Sequence, residues 1–159
     1  MAITQPPTRN AFRLNRFLVR AKRKTYAIGV EPVILEDNFK ELTYREGDII
    51  YRDRFTGITR FMGHEVVSKK GIPIWGMNYS GNVFSSSVDF EQLYEFLRKV
   101  MNLVTEKAPF RGPTNYQDGD FEYLSLSGGN IRNFTGLEMI MHKEKAVYRS
   151  IFDGGIIKR

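Results

Sequence analysis

The chain has 159 residues with a net charge of +6, and 42% of its residues are apolar and 13% aromatic. This size and composition predict one domain over residues 1–159 that buries a hydrophobic core, and they exclude a disordered chain. Because the sequence has no cysteine and only two histidines, we exclude disulfides and expect neither a metal site nor a cofactor. No apolar run reaches the length of a membrane span, so we expect a cytoplasmic protein that does not bind membranes.

The first predicted element is a basic amphipathic helix. Leu14, Phe17 and Leu18 recur at helical spacing. Every charged residue between positions 9 and 24 is basic, which favours an anionic partner such as nucleic acid; a solvated helix face is the simpler interpretation. We expect all of these side chains to be largely exposed, and all but the first are candidate anion contacts: Arg9, Arg13, Arg16, Arg20, Lys22, Arg23 and Lys24.

Short antiparallel strands are predicted after this helix. Glycine beside an acidic residue, as in Glu46-Gly47 and Asp118-Gly119, is typical of a hairpin turn between two strands. The segment 28–39 lies before the first of these hairpins, and it has no counterpart later in the chain. We predict that it forms a loop or an excursion at the edge of the sheet.

The sequence contains an internal repeat. Residues 44–51 match residues 116–123, and residues 61–65 match residues 134–138, in their glycine, aromatic and acidic positions. A second helix is expected after Asp89, a suitable N-cap. We predict an α+β fold that is a pseudo-symmetric tandem duplication of a helix plus antiparallel strands, with repeats at about 10–87 and 88–159. A curved antiparallel sheet would pack on the helices.

Two matching glutamates form the main candidate site. Alternate residues of a strand share a face, so Glu65 lies with Phe61, and Glu138 lies with Phe134. A carboxylate on an apolar face must be paired or change its pKa, and the glycine two residues before each glutamate leaves room for a ligand. Aromatic residues of neighbouring strands complete this candidate site: Trp75, Tyr79 and Tyr148. Such a site suits a small cationic or planar ligand, while the alternative is two structural glutamates.

Several motifs spread over nearly the whole chain resemble one protein family. They are Tyr44-Arg45-Glu46-Gly47-Asp48, Phe61-x-Gly63-x-Glu65, Trp75-x-Met77-Asn78-Tyr79-x-Gly81, Phe110-Arg111-Gly112-Pro113 and Asp153-Gly154-Gly155-Ile156. The family is an uncharacterised bacterial one, described only as a domain of unknown function. Its members occur alone or C-terminal to helix-turn-helix DNA-binding domains of the XRE type. The resemblance implies a sensor or accessory role and no particular reaction.

These observations favour a binding module rather than an enzyme. We expect a small-molecule or partner-binding protein with a cleft between the two repeats. One alternative is an enzyme that uses Glu65 and Glu138 as an acid/base pair. Another is a nucleic-acid accessory protein that uses the basic first helix, and its binding would weaken steeply with salt. The oligomeric state cannot be predicted from the sequence.

Overall fold

The computed structural model describes residues 9–84 and 86–159, and it describes side chains from residue 13 onward, so the predicted exposure of Arg9 lies outside the described residues. Within these residues the fold is α+β, as predicted, with two α-helices and a nine-stranded antiparallel sheet. None of the described helices is long and apolar enough to cross a membrane.

The elements follow one another along the chain in two similar series. The first series is α1 Arg9–Arg23, a 3-10 helix Tyr26–Ile28, β1 Val33–Ile34, β2 Lys40–Glu46, β3 Ile49–Gly57, β4 Arg60–Lys69 and β5 Ile72–Val83. The second series is α2 Phe90–Met101, β6 Asn115–Asp118, β7 Phe121–Asn130, β8 Asn133–His142 and β9 Lys145–Ile156. Each half therefore has an α-helix followed by a four-stranded meander, as the repeat predicts; a duplication origin for the two halves stays a prediction.

The sheet joins the two meanders through their last strands. Its order is β1-β2-β3-β4-β5-β9-β8-β7-β6, and β5 pairs antiparallel with β9, with Tyr79 opposite Phe152. The predicted hairpin glycines Gly47 and Gly119 have φ angles of 57° and 59°, in the left-handed region that glycine adopts without a steric penalty. The segment 28–39 contributes β1 at one edge of the sheet, which confirms the predicted edge excursion.

Both helices bury one apolar face against the sheet. Asp89 caps α2, because its side chain accepts hydrogen bonds from the backbone amides of Glu91 and Gln92 at 2.8 and 3.2 Å. These faces bury Phe17, Leu18, Phe96 and Leu97. Phe134 is buried in the core, whereas Phe61 is only partly buried because it lies on the wall of a cavity.

Candidate functional site

A cavity of ≈ 380 Å³ lies between the sheet and the elements that cover it. Strands β2 to β5 and β9 form one side, and α2 with the segment that contains the 3-10 helix forms the other. We name it the aromatic cavity after its ring-bearing wall: Tyr26, Phe55, Phe61, Tyr94 and Tyr148. Exposed residues surround its mouth, including Val30, Glu31 and Ile58, while the residues farthest from the mouth are buried.

The buried end of the cavity has charged side chains. We name this group the charged floor, and it consists of Lys22, Asp53, Glu65 and Arg111. The ammonium of Lys22 donates to Glu65 Oε2 and, at 2.7 Å, to the carbonyl oxygen of Phe110. Burial lowers the pKa of Lys22, and the charge of Glu65 opposes this shift.

The prediction that Lys22 is exposed is wrong, since only 5% of this residue is accessible. Lys22 comes four residues after Leu18, and residues four apart lie on the same face of a helix. The buried position of Leu18 therefore turns the lysine toward the sheet and away from solvent. The four-residue spacing of Leu18 and Lys22 predicts that the lysine is buried, but the run of basic residues led to the opposite prediction.

Asp53 is a site residue that the sequence analysis did not identify. It lies directly opposite Glu65 in the β3–β4 pairing, and only 5% of it is exposed. The hydroxyl of Tyr79 donates to its Oδ1 at 2.7 Å. Burial, together with the charge of Glu65, raises the pKa of Asp53 to about 7. Its alternation with the buried Tyr51 along β3 was the available signal.

Arg111 connects the aromatic cavity with the second predicted glutamate. Its Nε and Nη2 donate to Glu138 Oε1 at 3.1 and 2.7 Å, and its guanidinium lies 5.2 Å from the centre of the Tyr79 ring. Tyr123 and Tyr148 donate to the same carboxylate at 2.6 and 2.8 Å. Glu138 is thus fully buried and satisfied by its own partners. The loop between α2 and β6 supplies Arg111, which the sequence analysis names only as part of the motif Phe110-Arg111-Gly112-Pro113.

The structure separates the predicted ligand-binding residues into two groups. Glu65, Tyr79 and Tyr148 line the aromatic cavity, but Trp75 and Glu138 do not. Trp75 is completely buried, and its indole nitrogen donates to the carbonyl oxygen of Ile131 at 3.1 Å.

The space beside the two site glycines is filled by aromatic rings. A Cβ at Gly63 would lie 2.5 Å from the ring of Tyr79, and one at Gly136 would lie 2.3 Å from the ring of Phe152. The expectation that these glycines leave room for a ligand is therefore wrong, because the neighbouring strand occupies the space.

The basic side chains on the exposed face of α1 are mostly engaged within the protein. Arg16 pairs with Glu106 at 3.3 Å, and Arg20 donates to both carboxylate oxygens of Glu46 at 2.6 and 2.8 Å. The other contacts are Arg23 to the carbonyl oxygen of Val104 at 2.9 Å and Lys24 over the ring of Tyr44 at 5.7 Å. Arg13 is exposed, as predicted. A nucleic-acid contact through this face stays a prediction, and these pairings reduce the charge available for it.

The described residues hold no group of three or more histidine or acidic side chains that is arranged as metal ligands. Fold and cavity together define an α+β protein in which one antiparallel sheet and its helices enclose a space of small-molecule size. Residues 53–157 match the model of a family described as "Domain of unknown function (DUF5680)", and the chain belongs to this family. The matched range includes Asp53, Glu65, Arg111 and Glu138, but not Lys22. Neither curated proteins nor solved structures include a significant match to the chain.

Proposed function

We propose that the protein binds a small molecule in the aromatic cavity. The observation that supports this most directly is the charged floor at the buried end of a space whose wall is largely aromatic. Ligand sites in proteins are typically apolar clefts of about 300–1,000 Å³ with a few converging polar groups, and the cavity volume of ≈ 380 Å³ lies in this range. The small molecule would lie with its polar group on the floor.

Stability alone gives no reason for the charges of the floor. A buried ion pair gains little over apolar residues of the same volume, because desolvation offsets the attraction between the charges. Lys22 and Glu65 form such a pair at the end of a cavity, where a larger apolar side chain would fill the space. Their position favours a role in ligand recognition.

The wall suggests the shape of the ligand. Phe61 is stacked on Tyr148 at 5.5 Å between ring centres, and it is tilted against Tyr79 at 6.5 Å. Rings held in this way offer flat apolar surfaces, which suit a planar or apolar body. A sensor or accessory role would follow if binding of this molecule changes the contacts of the exposed mouth.

The two halves contribute unequally to the cavity, and we infer that they have diverged from one duplicated unit. The similar order of elements and the corresponding positions of Glu65 and Glu138 support descent from one duplicated unit. On this view the first half has retained or acquired the ligand site. The second half has closed its glutamate inside the core.

A cavity-filling variant with a matched control tests the proposed function. Phe55→Trp enlarges a ring on the cavity wall, whereas Phe84→Trp enlarges an exposed ring outside the cavity. Thermal shifts would be recorded for a panel of small amines, carboxylates and neutral aromatic molecules, because binding to the native state raises its melting temperature. We expect compounds that stabilise the wild-type protein and the Phe84→Trp variant but not the Phe55→Trp variant. If no compound distinguishes the two variants, the proposal is wrong.

A second candidate is acid–base catalysis in the same cavity. Here Asp53, and not Glu138, is the carboxyl group next to Glu65, and its pKa of about 7 suits a group that exchanges protons near neutral pH. Chemical conversion of a bound compound, lost in Asp53→Asn, would support catalysis. Recovery of every bound compound unchanged would restrict the protein to binding.

A further inference from the structure

We propose that the aromatic cavity selects a protonated amine, with the ammonium held between Asp53 and Glu65 and the apolar body against the aromatic wall. This inference rests on the proposed function, because it names the chemical class that the same cavity accepts. Asp53 would then bind the ammonium directly, a role that no sequence motif indicates.

The charges around the floor do not balance. Lys22 is paired with Glu65, and Arg111 is paired with Glu138, so each cation has its own carboxylate. Asp53 is the remaining acid. Within the described part of the chain it has no ion-pair partner, and its recorded hydrogen bond comes from the neutral hydroxyl of Tyr79. Counted together with Glu138, the floor therefore has three carboxylates for two cations, and a cationic ligand would restore the balance.

The position of Asp53 defines a place for such a cation. Asp53 and Glu65 are direct cross-strand neighbours, and both line the cavity. Side chains opposite each other in an antiparallel pair have Cβ atoms about 4.5–5.5 Å apart, and like charges placed there repel. An ammonium group has three N–H donors, so it can bond to both carboxylates at once and remove the repulsion.

The surroundings favour an organic cation over other ligands. An anion at the floor would find both of its cations already bound, since Lys22 and Arg111 donate to carboxylates, and the other basic residues that line the cavity, Lys40 and Arg98, do not belong to the floor. The residues described provide no third acidic or histidine ligand, as a metal ion would need. The rings of Phe61 and Tyr148 line the cavity, and aromatic faces attract ammonium groups. The rest of the wall is largely aromatic and aliphatic, which suits a hydrocarbon or aromatic body.

Binding of the amine should depend on pH. The charged or titratable groups that face Asp53 are Lys22 from α1, Tyr51 from its own strand β3, Glu65 from β4, Tyr79 from β5 and Arg111 from the loop after α2. Burial and the charge of Glu65 raise the pKa of Asp53 to about 7, so at lower pH a proton occupies the place that the ammonium requires. The amine must then displace this proton. We expect the affinity to fall about tenfold between pH 8 and pH 6.

Three probes that differ only in their polar group test the inference: 4-phenylbutylamine, 4-phenylbutanol and 4-phenylbutyrate. Their binding to the full chain would be measured by titration calorimetry at pH 8 and pH 6. We expect the amine to bind at least about tenfold more tightly than the alcohol at pH 8, and the acid to bind more weakly than the alcohol. Asp53→Asn should weaken binding of the amine to about the level of the alcohol, which removes the preference. Asp120→Asn, at an exposed residue in a hairpin turn, is the matched control and should retain the preference.

The outcomes separate this inference from the proposed function. Equal binding of amine and alcohol, or tighter binding of the acid, overturns the inference while the cavity remains a binding site. An amine preference that survives in Asp53→Asn also overturns it. Binding of none of the three probes overturns it as well, and the proposed function then depends on the separate comparison of Phe55→Trp with Phe84→Trp.

Discussion

Glu65 and Glu138 occupy corresponding positions in the two halves but have different surroundings. Each lies on the third strand of its four-stranded meander. The residue opposite it on the preceding strand is Asp53 for Glu65 and Ser125 for Glu138. Glu138 accepts hydrogen bonds from one arginine and two tyrosines, and no part of it is accessible. Glu65 lies beside a cavity and next to a second carboxyl group.

This difference shows how a glutamate at corresponding positions of the two halves can have two roles. A buried carboxylate that has all its partners from its own protein stabilises a particular packing, and it has no capacity left for a ligand. A carboxylate with one cation, a second acid beside it and open space in front has such capacity. A single cross-strand position, aspartate in one half and serine in the other, accounts for much of this contrast.

Removing the charge of each glutamate should give the largest contrast. We expect Glu138→Gln to lower the free energy of unfolding by about 3–5 kcal/mol, because it leaves the buried Arg111 without its counter-charge. Glu65→Gln should cost less, since water in the cavity can solvate Lys22. Urea denaturation of both variants measures the difference. Equal losses would contradict the distinction between a closed and an open glutamate.

The two matching phenylalanines give a second contrast, in packing. Phe134 is stacked on Phe110 at 4.0 Å between ring centres and is 3% exposed, so Phe134→Ala should cost about 3–5 kcal/mol. Phe61 lies on the cavity wall, and we expect Phe61→Ala to cost less, because the site is already open on one side. The same denaturation experiment tests this. A greater loss for Phe61→Ala would show that the cavity is closed in solution.

Asp53 should make stability depend on pH in the first half. Its folded-state pKa of about 7 is above its unfolded value, so its favourable contribution is present below the unfolded pKa and is lost as pH rises through 7. We therefore expect Asp53→Asn to be more stable than the wild-type protein at pH 8, with the advantage decreasing toward pH 4. Melting temperatures at both values, with Asp120→Asn as the control, measure this. A difference that does not vary with pH would argue against a raised pKa.

An exposed ion pair of α1 should have the smallest effect. Hydrogen bonds from Arg20 and Tyr44 lower the pKa of Glu46 to about 2, so its contribution to stability is complete above the unfolded pKa and is lost as pH falls from there through about 2. Because Arg20 and Glu46 have side chains 45% and 36% exposed, solvent screens the pair, and Arg20→Ala should cost less than about 1 kcal/mol at neutral pH. A loss as large as that of Glu65→Gln would show that this pair anchors the helix.

The sequence by itself determined the fold class, the buried faces of the helices, the hairpin glycines and the two glutamates as buried residues. These features depend on local rules, namely helical spacing, strand alternation and the φ angles of turns. Only the tertiary structure decided which side chains surround each glutamate. Lys22 comes from α1 and Arg111 from a loop, both far from Glu65 in the chain, and Asp53 comes from the neighbouring strand. Alternation indicates the face on which a residue lies, but the register of the sheet and the packing of loops decide its partners and the space beside it.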